Sequence, residues 1–387
     1  MAESDRAQHN EGVPARPRVA IAHDYITQRG GAERLLLSMH HAFPDAPIYT
    51  TLYDPETTYP EFRDLDIVVS PINKIGVFRR DHRKALPFLA PASSAMRIDA
   101  DVVLASTTGW AHGFRTTGRM VAYCNTPARF LYLRDQYLGD AGRFSLRAIG
   151  LRVLAPFLRI WDQRAARRVD TYISNSSAIK ERVRQVYGRE SEVVYPAQSV
   201  NINGPRIPAA GIEDFVGEGG HLLLVSRLMP YKNVDKAIAA IGSLPSERLV
   251  IVGDGPQRAE LVAALPDNVR LVSGITDEEL RWLYARSRAL LAPSFEDFGL
   301  TVVEAAAWGK PSIALRAGGY LDTVSEGVTG RFFDRAEPAQ IAAAVAASRF
   351  DVWDVARIKA HAREFSEDAF ARKLQAVVDE TLAREQA

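Results

Sequence analysis

The sequence predicts an α/β protein with two doubly wound domains that face each other across a central cleft. Short apolar segments alternate with amphipathic helical segments in both halves of the chain, a pattern typical of parallel sheets covered by helices on both faces. A segment rich in Gly, Pro and Asn, 197–220, separates the two runs. A chain of 387 residues is also too long for one hydrophobic core.

These observations set the expected domain boundaries. A polar tail at 1–17 is expected to be disordered, and it lacks the apolar core of a signal peptide. The first domain is expected at 18–196, the linker at 197–220 and the second domain at 221–364. The last segment, 365–387, is expected to form a helix that crosses back to the first domain.

The composition is that of an ordinary globular protein, with 47% apolar and 25% charged residues. No stretch offers about 18 uninterrupted apolar residues, so no membrane span is expected. The single cysteine, Cys124, excludes an intrachain disulfide and fits a reducing compartment. The sequence therefore predicts a cytoplasmic protein.

The net charge of +1 is unevenly distributed. Residues 1–200 contain 27 Lys and Arg against 21 Asp and Glu, and the remainder of the chain is acidic. Most of the basic excess lies between Arg115 and Arg168, which argues against a uniformly basic nucleic-acid-binding protein. The two halves are expected to have different partners, neither of them nucleic acid.

Two basic stretches of the first half suggest contact with an anionic membrane surface. Residues 143–168 hold seven arginines and one acid, with apolar residues at helical spacing. For this stretch the favoured interpretation is a helix that packs on its own sheet with a solvated basic face. Residues 74–88 mix Arg and Lys with Phe and Val in a predicted loop. They are the better candidate for peripheral contact with the inner face of a membrane.

The first half begins with a strand, a glycine loop and a helix. Residues 18–23 form a short apolar strand, Gly30 and Gly31 interrupt the loop, and Ala32 to Phe43 has helical spacing. Two glycines let a phosphate or sugar approach the backbone, although an ordinary helix start is the alternative. Further strands are predicted at Ile48–Leu52, Ile67–Ser70, Val102–Ser106, Met120–Cys124, Thr171–Ser174 and Glu192–Tyr195.

The second half repeats the alternation. Its predicted strands are 221–228, 247–256, 269–275, 289–294, 311–315 and 329–333, and its predicted helices are 234–244, 257–265, 277–287, 338–348 and 365–382. Because the carboxyl ends of parallel strands share one edge, ligands are expected at that edge of each sheet.

The most informative segment is SFEDFGLTVVE, 294–304, which forms a predicted turn between a buried strand and a helix. Glu296 lies in the turn and Glu304 in the helix. The amides between them have no partner inside the helix, and the helix dipole favours an anion there. Carboxylates beside an anion site favour a ligand with phosphate and hydroxyls, such as a nucleotide sugar. The alternative is a surface loop with two unrelated glutamates.

The second half resembles the donor domain of GT-B nucleotide-sugar glycosyltransferases, specifically retaining family 4. The matching segments are SRLMPYKNVDKAI, IVGDGP, SGITDEELRWLYARSRALLAPSFEDFG and EAAAWGKPSIALRAGG. HDYITQRGGAERLL, FPDAPIYTTLYDP, YCNTPARFLY and SNSSAIKERVRQVYGRESEVVYP in the first half resemble a branch of GDP-mannose-dependent mannosyltransferases of polysaccharide and lipid-linked glycan assembly. The resemblance covers roughly residues 18–385 and implies two Rossmann-like domains around the cleft.

The resemblance implies roles for the donor-side residues. Arg227 and Lys232 would neutralise the charge of the departing diphosphate. Glu304 would bind the ribose hydroxyls, and Glu296 would position the transferred sugar and stabilise positive charge on it. Other implied donor contacts are Gly30 and Gly31 over the diphosphate, the amides of Phe298, Gly299, Leu300 and Thr301, Gly253 and Gly255 beside the nucleoside, and Ser273 and Ile275 in the base pocket.

On the acceptor side, His112 is the best match for the family histidine that touches the donor sugar, although a structural histidine is the alternative. Asn125, Arg129 and Tyr132 are the acceptor-side candidates. No Asp-x-Asp motif stands in a suitable loop, so no metal and no cofactor is expected.

The chain departs from the branch in several places. Asn125 stands where the branch usually has a histidine, and YPAQSV lacks a second proline and an aspartate. Asn233 occupies a position where the branch commonly has an arginine, and Asp322 occupies one where it has a glutamate. The first two departures leave the acceptor and the sugar open.

Three hypotheses follow. The first is a retaining glycosyltransferase that moves a hexose, with mannose from GDP-mannose favoured over a UDP-sugar, to a hydroxyl of a glycan, lipid-linked or small-molecule acceptor. The second is a GT-B sugar-nucleotide epimerase. The third is a non-catalytic sugar-nucleotide-binding protein, against which the intact Arg227, Lys232, Glu296 and Glu304 argue.

Overall fold

A computed structural model describes residues 17–133, 146–198, 200–217 and 220–384. It confirms the predicted α/β class, because the main strands form two parallel sheets with helices between successive strands. Nearly all of the predicted tail lies outside the described residues, as do residues 143–145 of the predicted basic helix.

Within these ranges the first sheet has seven strands in the order β3-β2-β1-β4-β5-β6-β7. In register, Ile21 of β1 pairs with Ile48 of β2 and with Leu104 of β4. A separate small sheet pairs Arg97–Ile98 with Arg115–Thr116. The strands are β1 (Val19–His23), β2 (Ile48–Thr50), β3 (Ile67–Val69), β4 (Val102–Thr107), β5 (Arg119–Cys124), β6 (Thr171–Ser174) and β7 (Ser191–Val193).

The second sheet, in the described part of the chain, has six strands in the order β10-β9-β8-β11-β12-β13. They are β8 (His221–Val225), β9 (Leu249–Val252), β10 (Val269–Val272), β11 (Ser287–Ala292), β12 (Ser312–Leu315) and β13 (Gly330–Phe333). In both sheets the chain starts at a central strand, builds outward on one side and then returns to the other side. The resulting switch points, β1/β4 and β8/β11, are where ligands of such sheets bind.

The helices cover both sheets. They are α1 (Gly31–Ala42), α2 (Gly76–Arg80), α3 (Leu86–Ala95), α4 (Arg129–Tyr132), α5 (Leu146–Ala166), α6 (Ser177–Tyr187), α7 (Glu213–Val216), α8 (Val234–Gly242), α9 (Arg258–Ala263), α10 (Asp277–Arg286), α11 (Leu300–Ala307), α12 (Tyr320–Thr323), α13 (Pro338–Ala347), α14 (Val355–Ala362) and α15 (Glu367–Ala383). Several turns are 3-10 helices, among them His82–Ala85, Ala111–Gly113 and Pro230–Lys232. No helix in the described residues is both long and apolar enough to cross a membrane.

The last helix, α15, packs on the first sheet and not on the second. Its side chains Phe370, Leu374, Val377 and Val378 are buried in the core that contains β1, β2 and α1. Glu367 accepts a hydrogen bond from Ser38 at 2.8 Å, and Gln375 donates to the Ala42 carbonyl at 2.9 Å. Helix α15 therefore belongs to the core of the first half.

The structure corrects the predicted loop at 74–88. Residues 76–80 form α2, and residues 82–85 form a 3-10 turn whose start is capped by Asp81, which accepts from the Arg83 amide at 3.2 Å. The mixed charge and apolar pattern concealed this short helical turn. Ile75, Val77 and Phe88 remain exposed.

Candidate active site

A cavity of about 1420 Å³ lies between the two switch points. Residues that follow β1, β4 and β5 line it from the first half, and residues that follow β8, β9 and β11 line it from the second. Single small-molecule sites are usually about 300–1000 Å³. The cavity is therefore larger than a single small-molecule site needs.

Glu296 lies on the wall of this cavity and is held by groups from separate elements. Lys232, from the turn after β8, forms an ion pair with its Oε1 atom. Ser294 donates to the same oxygen at 2.7 Å, and the Tyr320 hydroxyl lies 3.2 Å from Ser294 Oγ. Burial raises the pKa of Tyr320, so it stays protonated and can donate. The carboxylate is thus fixed in direction before any ligand binds.

The turn that carries Glu296 depends on close backbone contacts. A Cβ on Gly318 would lie 2.2 Å from the Glu296 carbonyl oxygen, and one on Gly319 would lie 2.3 Å from Phe298 Cα. The Gly319 amide donates to the Glu296 carbonyl at 2.9 Å. The turn that carries Glu296 therefore packs directly against the backbone of Gly318 and Gly319, which leaves no room for a side chain at either position.

The start of α11 also faces the cavity. Gly299 adopts a left-handed conformation with φ of 97°, and no described side chain caps the helix. Phe298, Gly299, Leu300 and Thr301 all line the cavity, as predicted for an anion site at a helix start. Arg227 and Lys232 line the same cavity, so cations and a helix start share one wall.

The turn that carries Lys232 explains why an asparagine stands at position 233. Asn233 has a φ of 56°, a conformation that asparagine tolerates better than most residues. Its side chain donates to the Pro293 carbonyl at 2.9 Å. Asn233 therefore ties the Lys232 turn to the end of β11, immediately before Ser294.

Glu304 lies on α11, one turn beyond the residues that line the cavity. Its Oε2 accepts a hydrogen bond from Tyr284 at 3.0 Å, and burial raises the pKa of Glu304. Its predicted contact with a ribose remains a prediction.

The predicted base pocket is only partly at the cavity. Gly253 lines it, whereas Gly255, Ser273 and Ile275 do not. A Cβ on Gly253 would lie 1.9 Å from the Ser226 carbonyl oxygen, and one on Gly255 would lie 2.5 Å from the Leu228 carbonyl oxygen. Contact with the neighbouring backbone therefore accounts for both glycines without a ligand.

Of the N-terminal glycine pair, Gly31 lines the cavity as the first residue of α1. A Cβ on Gly31 would lie 3.3 Å from the Leu300 side chain, so the starts of α1 and α11 are close neighbours. Gly30 instead packs against its own helix, because a Cβ there would lie 2.6 Å from Glu33 Oε2.

The structure does not place His112 on the cavity wall, and its predicted contact with the donor sugar stays a prediction. The side chain is 1% exposed, in the turn after β4. Its Nδ1 lies 3.0 Å from Thr107 Oγ1 and its Nε2 lies 3.1 Å from Asp162 Oδ1. The turn points the ring inward, where it packs beside Trp161.

The three acceptor-side candidates have different positions. Asn125 lines the cavity and donates to Ser106 Oγ at 3.1 Å. Arg129 lines it too, but its guanidinium pairs with Asp297. Tyr132 does not line the cavity, and its hydroxyl donates to Asp162 at 2.6 Å. Its role on the acceptor side stays a prediction.

Sequence reasoning missed a set of contacts that joins the two halves, here called the interdomain latch. Asp297 accepts from Arg129 Nε at 3.1 Å and from Arg182 at 2.8 Å. Asp322 accepts from the Ser177 amide at 2.8 Å, at the start of α6. Both acids come from the second half and their partners from the first. The only sequence signal was the position of Asp297 directly after Glu296.

A second missed group surrounds the end of β1. Asp24 is buried and accepts from the amides of Thr108 and Ala111, both at 2.6 Å. Thr108 and His82 line the cavity near this carboxylate. These residues are far apart in sequence, so only the sheet topology brings them together.

Two protein-family models match the chain. The model described as Glycosyltransferase Family 4 matches residues 29–198, and the model described as Glycosyl transferases group 1 matches residues 212–348. The first match includes β2 to β7 and the second includes β8 to β13, whereas β1 precedes the first match.

Curated relatives match parts of the chain. A GDP-mannose-dependent alpha-mannosyltransferase of Corynebacterium glutamicum is 38% identical over 28% of this chain and 26% of its own length. A D-inositol 3-phosphate glycosyltransferase of Thermobispora bispora is 28% identical over 73% of this chain and 69% of its own length. This chain thus spans about a quarter of the first relative and about two thirds of the second.

Solved structures match nearly the whole chain. A sucrose-phosphate synthase of Thermosynechococcus elongatus has a TM-score of 0.69 at 17% identity, over 95% of this chain and 100% of that one. An Anabaena protein in complex with UDP has a TM-score of 0.68 at 18% identity, over 94% and 100%. At these identities the likeness concerns the fold alone.

Proposed function

This chain belongs to the family 4 glycosyltransferases with the GT-B fold, and on that premise we propose that it transfers mannose from GDP-mannose to a hydroxyl acceptor with retention of the anomeric configuration. The observation that carries the proposal is the shared wall of Arg227, Lys232, Glu296 and the start of α11. Cations and helix amides suit a departing diphosphate, and a fixed carboxylate suits the positive charge that develops on the sugar.

The choice of GDP-mannose is supported by the mannosyltransferase relative and by the sequence branch. The experiment is a thermal-shift screen of nucleotide sugars, followed by a measurement of nucleoside diphosphate release with and without acceptor. We expect release that depends on the acceptor and an α-linked product by NMR. If only a UDP-sugar stabilises the protein, the donor is a UDP-sugar and not GDP-mannose. A product that is a sugar nucleotide epimeric at C2 would indicate an epimerase. Binding of a sugar nucleotide without release of nucleoside diphosphate would indicate a binding protein.

We further propose that transfer needs no metal. Arg227 and Lys232 would supply the positive charge that Mg²⁺ supplies elsewhere. We expect full activity in the presence of a chelator. A strict requirement for added divalent cation would contradict this part of the proposal.

For the acceptor, the first-half wall of the cavity favours a lipid-linked molecule. It combines cationic side chains, which suit a phosphate group, with an apolar trough between α3, α4 and α5. The cations are Arg83, Lys84, Arg129 and Arg182, and the trough is formed by Leu86, Pro87, Leu89, Trp110, Phe130, Leu133, Leu151 and Leu154.

The trough can be tested by adjacent substitutions on α5. Leu154→Ser changes a side chain on the cavity wall, whereas Val153→Ser changes a neighbouring side chain that is 63% exposed and does not line the cavity. We expect Leu154→Ser to raise the KM for an acceptor with an apolar tail and to leave the KM for a tail-less acceptor unchanged. Equal effects of the two substitutions on both acceptors would contradict the role of the trough.

Peripheral contact with an anionic membrane is proposed for the same side of the molecule. Besides Ile75, Val77 and Phe88, helix α5 exposes Phe157 at 70% and Ile160 at 53%. Arginines flank both groups, and α3 packs against α5, which brings the two stretches into the same region of the first half. Apolar side chains among arginines are typical of interfacial contact.

Flotation with vesicles that contain anionic lipid tests this surface. We expect Phe157→Ser with Ile160→Ser to reduce binding, and Phe350→Ser with Val352→Ser, two exposed residues of the second half, to leave it unchanged. Equal binding by both double variants would contradict the proposal.

A further inference from the structure

His82 lies on the cavity wall, at the carboxyl edge of β1. Its ring stacks on Tyr25 with the ring centroids 4.0 Å apart and the planes 15° from parallel. Its Nδ1 lies 3.2 Å from Thr27 Oγ1. Two residues of the segment after β1 therefore fix the plane and one nitrogen of a half-buried imidazole. Its second nitrogen, Nε2, takes no part in that hydrogen bond.

The charged surroundings of His82 come from three parts of the chain. Asp81 and Arg83 flank it, Asp24 approaches from the end of β1, and Arg227 approaches from the second half. Arg227 is one of the two cations placed beside the donor diphosphate. His82 therefore lies between the first sheet and the part of the cavity wall that carries Arg227, whereas His112 does not line the cavity.

The pKa of His82 is lowered to about 4, chiefly by burial and next by Arg83. The ring is therefore neutral in ordinary buffers. A neutral imidazole can both donate and accept a hydrogen bond, and it adds no further charge beside Arg227.

We infer that His82 contacts the sugar of the nucleotide-sugar donor and positions it through a hydrogen bond from the ring to a sugar hydroxyl. This inference rests on the proposed function, since it assumes that a nucleotide sugar occupies the cavity.

Two substitutions separate hydrogen bonding from packing. His82→Phe keeps an aromatic ring to stack on Tyr25 but removes both nitrogens, whereas His82→Gln keeps a polar group but loses the stack. His41→Phe, an exposed position on α1, is the control. The measurements are calorimetric affinities for GDP-mannose and GDP, and for UDP-glucose and UDP.

We expect His82→Phe to lower the affinity for the nucleotide sugar that the wild type binds by about tenfold, the effect of losing one hydrogen bond. The affinity for the corresponding nucleoside diphosphate without the sugar should not change. His82→Gln should retain part of the affinity. Unchanged sugar affinity in His82→Phe, or an equal loss for sugar nucleotide and bare diphosphate, would overturn the inference alone. Wild-type protein that binds neither pair would overturn the proposed function and this inference with it.

A pH profile of transfer gives a second readout. Because the ring is neutral above about pH 5, wild type and His82→Gln should have profiles of the same shape between about pH 6 and pH 8. A limb near neutral pH that disappears in His82→Gln would make His82 a titrating acid or base. That result would overturn its role as a neutral hydrogen-bond partner.

Discussion

At the scale of single residues, the site depends on how one carboxylate is held. Glu296 is oriented by Lys232 and Ser294, and Tyr320 stands behind Ser294. Ser294 stands two residues before Glu296, whereas Lys232 and Tyr320 come from other turns, so the local sequence and the fold together set the direction of the carboxylate. The predictions at this scale concern Glu296, the neighbouring cations and one buried acid.

Glu296→Ala should reduce transfer by about 100- to 1000-fold, the range found when a preorganised electrostatic contact is removed. The diphosphate does not need this carboxylate, so the affinity for GDP should be retained. Turnover and GDP affinity measured side by side check the prediction. Turnover at the wild-type rate would contradict the assignment of Glu296 to the transferred sugar.

Arg227→Ala should instead weaken both GDP binding and transfer, because it removes a cation from the part of the cavity wall that is proposed to hold the diphosphate. A charge-assisted hydrogen bond contributes about 1.5–3 kcal/mol, so the dissociation constant should rise about 10- to 100-fold. Arg316→Ala, which removes an exposed arginine paired with Glu326, is the control and should leave GDP affinity unchanged.

Glu33, in the first turn of α1, predicts a pH dependence of stability. It is 1% exposed, and burial raises its pKa from 4.5 to about 7. A raised carboxyl pKa means that the folded state binds the proton more tightly. Ionisation therefore costs stability, with no cost below the unfolded pKa and a growing cost until about pH 7.

The substitution Glu33→Gln removes this ionisation. Relative to wild type, the variant should gain about 2 kcal/mol of unfolding free energy between about pH 5.5 and pH 8. Denaturant titrations at the two pH values check this. A difference between variant and wild type that stays constant with pH would mean that Glu33 is already ionised in the folded protein.

At the scale of elements, the turn between β11 and α11 relies on the glycine pair after β12. Gly319→Ala places a methyl group 2.3 Å from Phe298 Cα and should cost about 1–3 kcal/mol, as in other overpacked sites. It should also lower transfer, because the Glu296 turn must shift. Gly76→Ala is the control: its nearest atom is 3.8 Å from the new carbon, and it should be neutral or stabilising.

Strands and helices were largely predictable because their patterns are local. The strand at Thr171–Ser174 has the predicted bounds, and α1 differs by one residue at each end. The 74–88 turn was missed because a five-residue helix leaves little periodicity to detect. The position of His112 was missed because its inward direction depends on a turn of three residues and on Asp162, which is distant in sequence.

At the scale of the whole molecule, the interdomain latch predicts a coupling between closure and activity. Asp297→Asn should weaken the contact with Arg129 and Arg182, open the cleft and lower transfer by about 100-fold through misplacement of Glu296. GDP affinity should change little. Small-angle scattering should give a larger radius of gyration, whereas Asp334→Asn, which changes an exposed acid, should change neither quantity.

The latch also marks what sequence reasoning could not reach. That Glu296, Gly299 and Thr301 lie together on the cavity wall was predictable, because the three residues belong to one motif. The pairing of Asp297 with Arg182 spans 115 positions, and no local pattern encodes it. Contacts between the halves depend on how both sheets are placed, and that placement is decided by surfaces on several elements at once.

Because α15 packs on the first sheet, the core of the first half cannot be completed until the last helix has been synthesised. The first sheet is complete when β7 leaves the ribosome, but its core still lacks Phe370, Leu374, Val377 and Val378. The nascent chain must then carry this open apolar surface through the synthesis of the whole second half. A protein shortened before α15 would keep the residues of both cavity walls but would leave the core of the first half uncovered. A separate α15 peptide should bind to this core and restore the folded protein.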